Sequence, residues 1–407
     1  MRIKSIQAVI IMIFSLAYGA SETESAYVLI FACTLLSLIF IPKIRQKNAS
    51  VNKMRSKLSS LIIYLPLFVV LSWFYGACVG LFRNVPYEYA FRNFFGLLAY
   101  LWFYSLMIIR PSINSLMIAL LIGGIVQIFY GMTASVDLIS NPSIIFAGDS
   151  ISDARSIYSG GSMVLFPLIA LGLSPKNNEI FQSREPIIKS KINVTDLCKN
   201  PLFFITCCYT VIIPSLSKGF ILGFILLLAC HLFQSTVIAL KRGMSPKLFI
   251  YASLFLVVVF PFLPIELQGL LMNSFSNDEV SNIVRAEQFN KIVEDFSFFG
   301  SGLGSSLSSG YKRDATGYGF ELTFLNLIHK LGFFVLPLFL SYATTIIASI
   351  DRIIHGFQVK ESYFIIGCMV YLIPGSGNPI LLSPQAVILH CIAMYIFVSP
   401  YLVEIEI

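Results

Sequence analysis

The sequence predicts an all-α polytopic membrane protein with about twelve transmembrane helices, and three observations carry that expectation. Of its 407 residues, 57% are hydrophobic and only 12% are charged, against roughly 25% charged in soluble domains. Mean hydropathy is +0.81, and the apolar residues arrive in blocks of about 15–22, the length that crosses a bilayer core. The blocks are continuous and do not alternate with polar residues. They therefore fit helices, which satisfy their own backbone groups in lipid, and not the strands of a barrel.

Taken in order, the blocks place helices at 5–20, 26–41, 60–81, 93–109, 112–131 and 157–173, then at 201–214, 219–240, 248–265, 320–350, 362–374 and 385–402. The first follows Met1-Arg-Ile-Lys4 as a signal peptide would. No small-x-small cleavage site comes after it and another span comes at once, so it reads as a membrane helix. Basic residues then set the orientation. Lys43, Arg45, Lys47, Lys53, Arg55 and Lys57 fill the second connection, Lys176, Arg184, Lys189, Lys191 and Lys199 the sixth, and Lys241, Arg242 and Lys247 the eighth. With Arg2, Lys4, Arg110, Arg352 and Lys360, 19 of the 28 Lys and Arg fall on one side, which makes that side cytoplasmic, with both termini inside. The net charge of +7 is then a topology signal and gives no argument for nucleic acid.

The whole chain, 1–407, reads as one membrane-embedded domain whose largest outer loop covers 266–319. Cys33, Cys78, Cys207, Cys208, Cys230, Cys368 and Cys391 fall in or beside apolar helices and Cys198 in a cytoplasmic connection. The outer loop has none, so no disulfide framework is expected, and no zinc-type spacing is present.

Nine basic residues face outward against the bias: Arg83, Arg92, Arg155, Lys218, Arg285, Lys291, Lys312, Arg313 and Lys330. Lys218 stands in Pro214-Ser-Leu-Ser-Lys-Gly219 before an apolar run. Ser217 is placed to cap that helix, and a helix N-terminus beside an ammonium group suits an anion. Gly219 would let a ligand approach the backbone; the bland alternative is a lysine snorkelling to the interface. Arg285 falls in 280–296, which reads as an amphipathic helix at the membrane surface with the apolar stripe Phe289, Ile292, Val293 and Phe296. Spacing puts Arg285 on that stripe and Glu287, Lys291 and Glu294 opposite. A guanidinium on a buried face needs a partner, either an anionic ligand or a carboxylate of another helix. Glu321 opens the next helix in Gly319-Phe-Glu-Leu-Thr, after the glycine-rich Gly300-Ser-Gly-Leu-Gly304. It is either an ordinary favourable charge at a helix N-terminus or a functional carboxylate at membrane depth. His329, two turns on, is an auxiliary candidate on the same face.

This order of features resembles the superfamily of bacterial O-antigen polymerases and O-antigen ligases. The matching pattern is Ser217-Lys-Gly219 at a helix start, a long outer loop with Arg285, Gly300-x-Gly-x-Gly304, Glu321, and Gly332 eleven residues later. Arg155-Ser-Ile-Tyr-Ser-Gly-Gly161 is similar to the family's earlier arginine region. The chain departs from the family's Ser-Arg-Gly by carrying Lys218, which keeps the charge without bidentate geometry. It has Glu321 where ligases carry a His-Asn pair, as polymerases do. The resemblance implies a GT-C-like membrane fold in the bacterial inner membrane. It also implies an inverting glycosyltransferase whose substrates are undecaprenyl-pyrophosphate-linked oligosaccharides, with a chain-length regulator protein as a further partner. Lys218, Arg285 and Arg155 would meet the pyrophosphate, and Glu321 with Arg285 would be catalytic. No DxD-type motif is present, so no metal and no cofactor is expected. The competing readings are an O-antigen ligase, a lipid-linked oligosaccharide flippase or exporter, which usually shows two similar halves, and a non-catalytic scaffold.

Overall fold

A computed structural model describes residues 55–140, 162–174, 194–212, 218–241, 280–312, 317–355, 359–377 and 379–399. The expected spans 5–20, 26–41 and 248–265, the start of the span 157–173, Arg155 and Arg313 lie outside the described residues. Among the described residues the chain is helical and has no strand.

The elements in order are α1 (Arg55–Phe82), α2 (Tyr87–Arg92), a 3-10 segment Phe95–Leu101, α3 (Trp102–Ile109), α4 (Ile113–Ser140) and α5 (Leu165–Leu173). After them come α6 (Val194–Cys198), α7 (Pro201–Ile212), α8 (Lys218–Lys241) and α9 (Val280–Glu294). The C-terminal part holds α10 (Thr323–Leu331), a 3-10 turn Gly332–Val335, α11 (Leu336–His355), α12 (Val359–Met369), α13 (Leu372–Ser376), a 3-10 turn Pro379–Leu382 and α14 (Pro384–Val398). The block expected at 93–109 thus begins as a 3-10 segment, and the one at 320–350 is two helices joined by a 3-10 turn at Gly332.

Among the described residues two stretches are long and apolar enough to cross a membrane, Leu61–Phe82 with 22 residues and Thr323–Ile354 with 32. Their outward faces are as apolar as their inward ones. On α1, Ile62, Leu65, Val69, Val70 and Trp73 are buried while Leu61, Tyr64, Phe68, Leu71 and Phe74 are exposed. On α11, Leu336, Leu340, Ile347, Ile350 and Ile354 are exposed in the same way. Exposed apolar faces of this length suit a membrane span, and no described residue covers them.

Pro66 sits inside α1, where it offers no N–H and crowds the preceding turn. The Tyr104 hydroxyl of α3 accepts from the Leu67 N–H at 3.1 Å and donates to the Ile63 carbonyl at 2.9 Å. A neighbouring helix thereby restores the backbone bonds that the proline disturbs, the usual condition for proline in such a helix.

The core is built on α12, which packs between α5 and α14, while α11 packs along α1. Pro384 starts α14 and the Ser383 hydroxyl accepts from the Ala386 N–H, a regular N-cap. Deep in the bundle the Tyr100 hydroxyl meets His390 Nδ1 at 2.8 Å and Tyr342 at 3.3 Å. Arg352, expected at the cytoplasmic edge, is buried and donates to the Phe397 carbonyl at 2.8 Å while lying over the Phe397 ring. It ties the end of α11 to the end of α14.

Candidate functional site

Residues 280–312 and 317–322 form an outer layer next to α10 and α1. Helix α9 turns a face toward α10 that differs from the one its spacing suggests. Gln288 and Ile292 are buried, whereas Phe289, Val293 and Phe296 are about half exposed. Three of the four stripe residues therefore look outward, and the inward row runs from Arg285 through Gln288 to Ile292. Polar groups take the inward face because carboxylate and backbone partners are waiting there.

Arg285 reaches across 36 residues of sequence to Glu321, with Nε 3.1 Å from Oε2. Both side chains remain partly accessible, at 28% and 16%, so the pair lines a surface open to ligand. The other guanidinium nitrogens make longer contacts, Nη1 to Asn282 Oδ1 and Nη2 to the Gly377 carbonyl, each at 3.5 Å. That distance is at the limit of a hydrogen bond. The Glu321 backbone N–H donates to Gln288 Oε1 at 3.1 Å, and its carbonyl accepts from the Thr323 hydroxyl at 3.2 Å. Glu321 stands two residues before α10, whose N-cap is Leu322. It is a residue of the preceding bend held from both ends, and not part of the first helical turn.

Lys218 is the first residue of α8. Its neighbour Gly219 has no room for a ligand: a Cβ there would lie 2.6 Å from Pro374 Cα. The glycine serves the contact between α8 and α13. That contact joins the candidates all the same: Pro374, the middle residue of α13, lies against Gly219, and the carbonyl of Gly377, which follows α13, meets Arg285. The start of α8 and the Arg285–Glu321 pair thus both contact one five-residue helix, at its middle residue and at its C-cap.

His329 does not share a site with Glu321. It is fully buried, with Nε2 2.9 Å from Asp295 Oδ2 and 3.1 Å from Ser301 Oγ. A carboxylate only accepts, so Nε2 carries the proton. Both neighbours sit on the same ring nitrogen, an arrangement unlike a nucleophile–base relay, which uses both nitrogens. Asp295 also accepts from the Ser308 N–H at 3.2 Å and from the Ser308 hydroxyl. Burial pushes the Asp295 carboxyl up, but the bonds from Ser308 and His329 outweigh it and hold the group below its ordinary value. Lys330, counted among the basic residues on the outer side, is completely buried. Its ammonium donates to the Ser305 carbonyl and lies 5.2 Å from the centre of the Phe320 ring.

The glycine run between these residues is a packing device. Gly300, Gly302 and Gly304 all adopt positive φ, and a Cβ on Gly302 would sit 2.3 Å from the Gly80 nitrogen of α1. The run also closes the end of α10. Ser301 and Gly302 donate to the His329 and Lys330 carbonyls at 2.7 and 2.9 Å, and Leu303 donates to the Gly76 carbonyl at 2.8 Å. Free carbonyls at a helix C-terminus are so satisfied by the loop. Spacing alone pointed to Arg285 and Glu321 but missed Gln288, Asp295 and Lys330. The i, i+3 relation of Arg285 and Gln288 is the only sequence signal that bears on them.

Comparison with known protein families, with characterised proteins and with solved structures finds no match to this chain.

Proposed function

We propose that this chain is an O-antigen polymerase with about twelve membrane spans, acting at the periplasmic face of a bacterial inner membrane. It moves a growing glycan from undecaprenyl pyrophosphate to an undecaprenyl-pyrophosphate-linked repeat unit. The observation that carries the reading is the meeting of Arg285 and Glu321 at 3.1 Å, next to the short helix that also holds the start of α8 at Gly219. The uncovered apolar faces of α1 and α11 support the membrane setting.

The chemistry follows from those groups. An acceptor sugar hydroxyl attacks the donor anomeric carbon, and the bond from that carbon to the pyrophosphate oxygen breaks. The hydroxyl proton passes to the Glu321 carboxylate, and undecaprenyl pyrophosphate leaves with its charge met by Arg285 and Lys218. Nη1 and Nη2 of Arg285, engaged only at 3.5 Å, are the donors a phosphate would draw on most readily. Attack from the face opposite the leaving group inverts the anomeric centre.

Purified protein in lipid vesicles, given lipid-linked repeat units and excess EDTA, is expected to make a ladder of polymer and release undecaprenyl pyrophosphate. Activity lost in chelator and restored by Mg²⁺ or Mn²⁺ would refute the metal-independent form of this reading.

A further inference from the structure

Gln288 is fully buried one turn after Arg285, an uncommon place for a side-chain amide. The atom that meets the Glu321 backbone N–H at 3.1 Å must be an acceptor, so the amide orientation is fixed and that atom is Oε1. The Nε2 of the same amide, on the same carbon as that Oε1, is buried and has no hydrogen-bond partner among the described residues. A buried donor without an acceptor is costly, and an apolar side chain of the same shape would avoid the penalty. The neighbouring polar groups of α9 serve the same residue: Arg285 holds the Glu321 carboxylate, and Asn282 contacts Arg285.

The polymerase reading gives this unused donor a purpose. The carboxylate that takes the proton is tied to the guanidinium that meets the pyrophosphate, so donor binding draws Arg285 away just when Glu321 must be held in place. We infer that Gln288 is a positioning residue, whose Nε2 takes over the Glu321 carboxylate when Arg285 turns to the pyrophosphate. Its Oε1 keeps the Glu321 backbone fixed during the exchange. The inference rests on the polymerase reading and adds to it an order of events at one site.

The test compares the parent protein with Gln288→Met and Gln288→Glu in vesicles, using undecaprenyl-pyrophosphate-linked repeat units as the probe. Thermal midpoints are measured on the same samples. Gln288→Met neither donates nor accepts, and Gln288→Glu retains the acceptor for the Glu321 N–H but loses the donor. Both are expected to lower kcat roughly ten- to a hundredfold, the loss of one hydrogen bond to a charged group. KM for the lipid-linked probe stays within about twofold, and kcat of Gln288→Met falls by more than its thermal midpoint accounts for, since Met removes the unpaired donor together with the acceptor of the Glu321 N–H. Parent-like kcat in Gln288→Glu would confine the residue to holding the backbone and overturn the handover. So would a fall in kcat that tracks a fall in thermal midpoint. Either result leaves the polymerase reading standing, whereas no turnover by the parent removes that reading and this inference together.

Discussion

Arg285 and Glu321 form one ion pair yet are assigned different tasks, and substitution separates them. Arg285→Ala is expected to weaken binding of the lipid donor roughly ten- to a hundredfold, as loss of a charge-assisted contact of about 1.5–3 kcal/mol would. Glu321→Gln is expected to bind the donor normally and lose turnover, because an amide cannot take the proton. Lys218→Arg retains activity and Lys218→Ala does not, since the charge is what the site needs. Donor binding and polymer length on gels check all four variants, and full-length polymer from Glu321→Gln would contradict its role. Asp295 belongs to a structural cluster and behaves differently. Its folded pKa lies below the ordinary value, so the stability it supplies is present at neutral pH and lost as pH falls through the folded pKa. The thermal midpoint of Asp295→Asn is expected below the parent's at pH 7, by the equivalent of about 1–3 kcal/mol, with the gap closing as the parent is acidified. A gap independent of pH would exclude this origin.

At the scale of elements, the glycine run shows what a motif does once its neighbours are known. Gly300-x-Gly-x-Gly304 reads in sequence as a loop of loose meaning, and its three positive-φ residues in fact let the chain pass between α1 and the end of α10. Gly310 provides an internal comparison. It also has positive φ, at 72°, but a Cβ there would meet nothing within 4 Å. Gly310→Ala is therefore expected to cost only the backbone strain, about 1–3 kcal/mol. Gly302→Ala adds a clash with Gly80 and should cost more, lowering protein abundance and thermal midpoint beyond the Gly310→Ala change. Equal effects would mean that the contact with α1 is not tight. The faces of α9 teach a related lesson. Period placed Arg285 on the apolar stripe of a helix at the membrane surface. Pairing of Arg285 and Gln288 with Glu321 turns Arg285 inward with Ile292 and leaves Phe289, Val293 and Phe296 exposed, where a helix at a membrane surface has a second apolar medium to face. Helix existence was legible because apolar length and continuity decide it. The 3-10 start at Phe95 and the break at Gly332 were not, as they depend on contacts between distant segments.

For the whole molecule, the apolar blocks announced an all-helical chain, whereas Arg285 and Glu321 were singled out separately, with the partner of Arg285 left open between an anionic ligand and a carboxylate of another helix. What spacing could not supply was burial: Lys330 counted as an outward basic residue and lies in the interior, and His329 turned to Asp295, which no periodicity marked. The orientation remains a distinct expectation with its own check. A cysteine replacing exposed Ser309 should react with an impermeant thiol reagent on intact spheroplasts, and one replacing Ser190 should not. The opposite labelling would invert the assigned faces. The central claim, polymerisation of lipid-linked repeats, is tested most directly by the surface glycan of a strain lacking this chain. Glycan reduced to a single repeat, with polymer restored by the parent gene and not by the Arg285→Ala form, is the result expected of a polymerase. Full-length polymer accumulating on the lipid carrier while none reaches the surface would instead mark a ligase, and repeats trapped on the cytoplasmic face would mark a flippase; either outcome contradicts the claim.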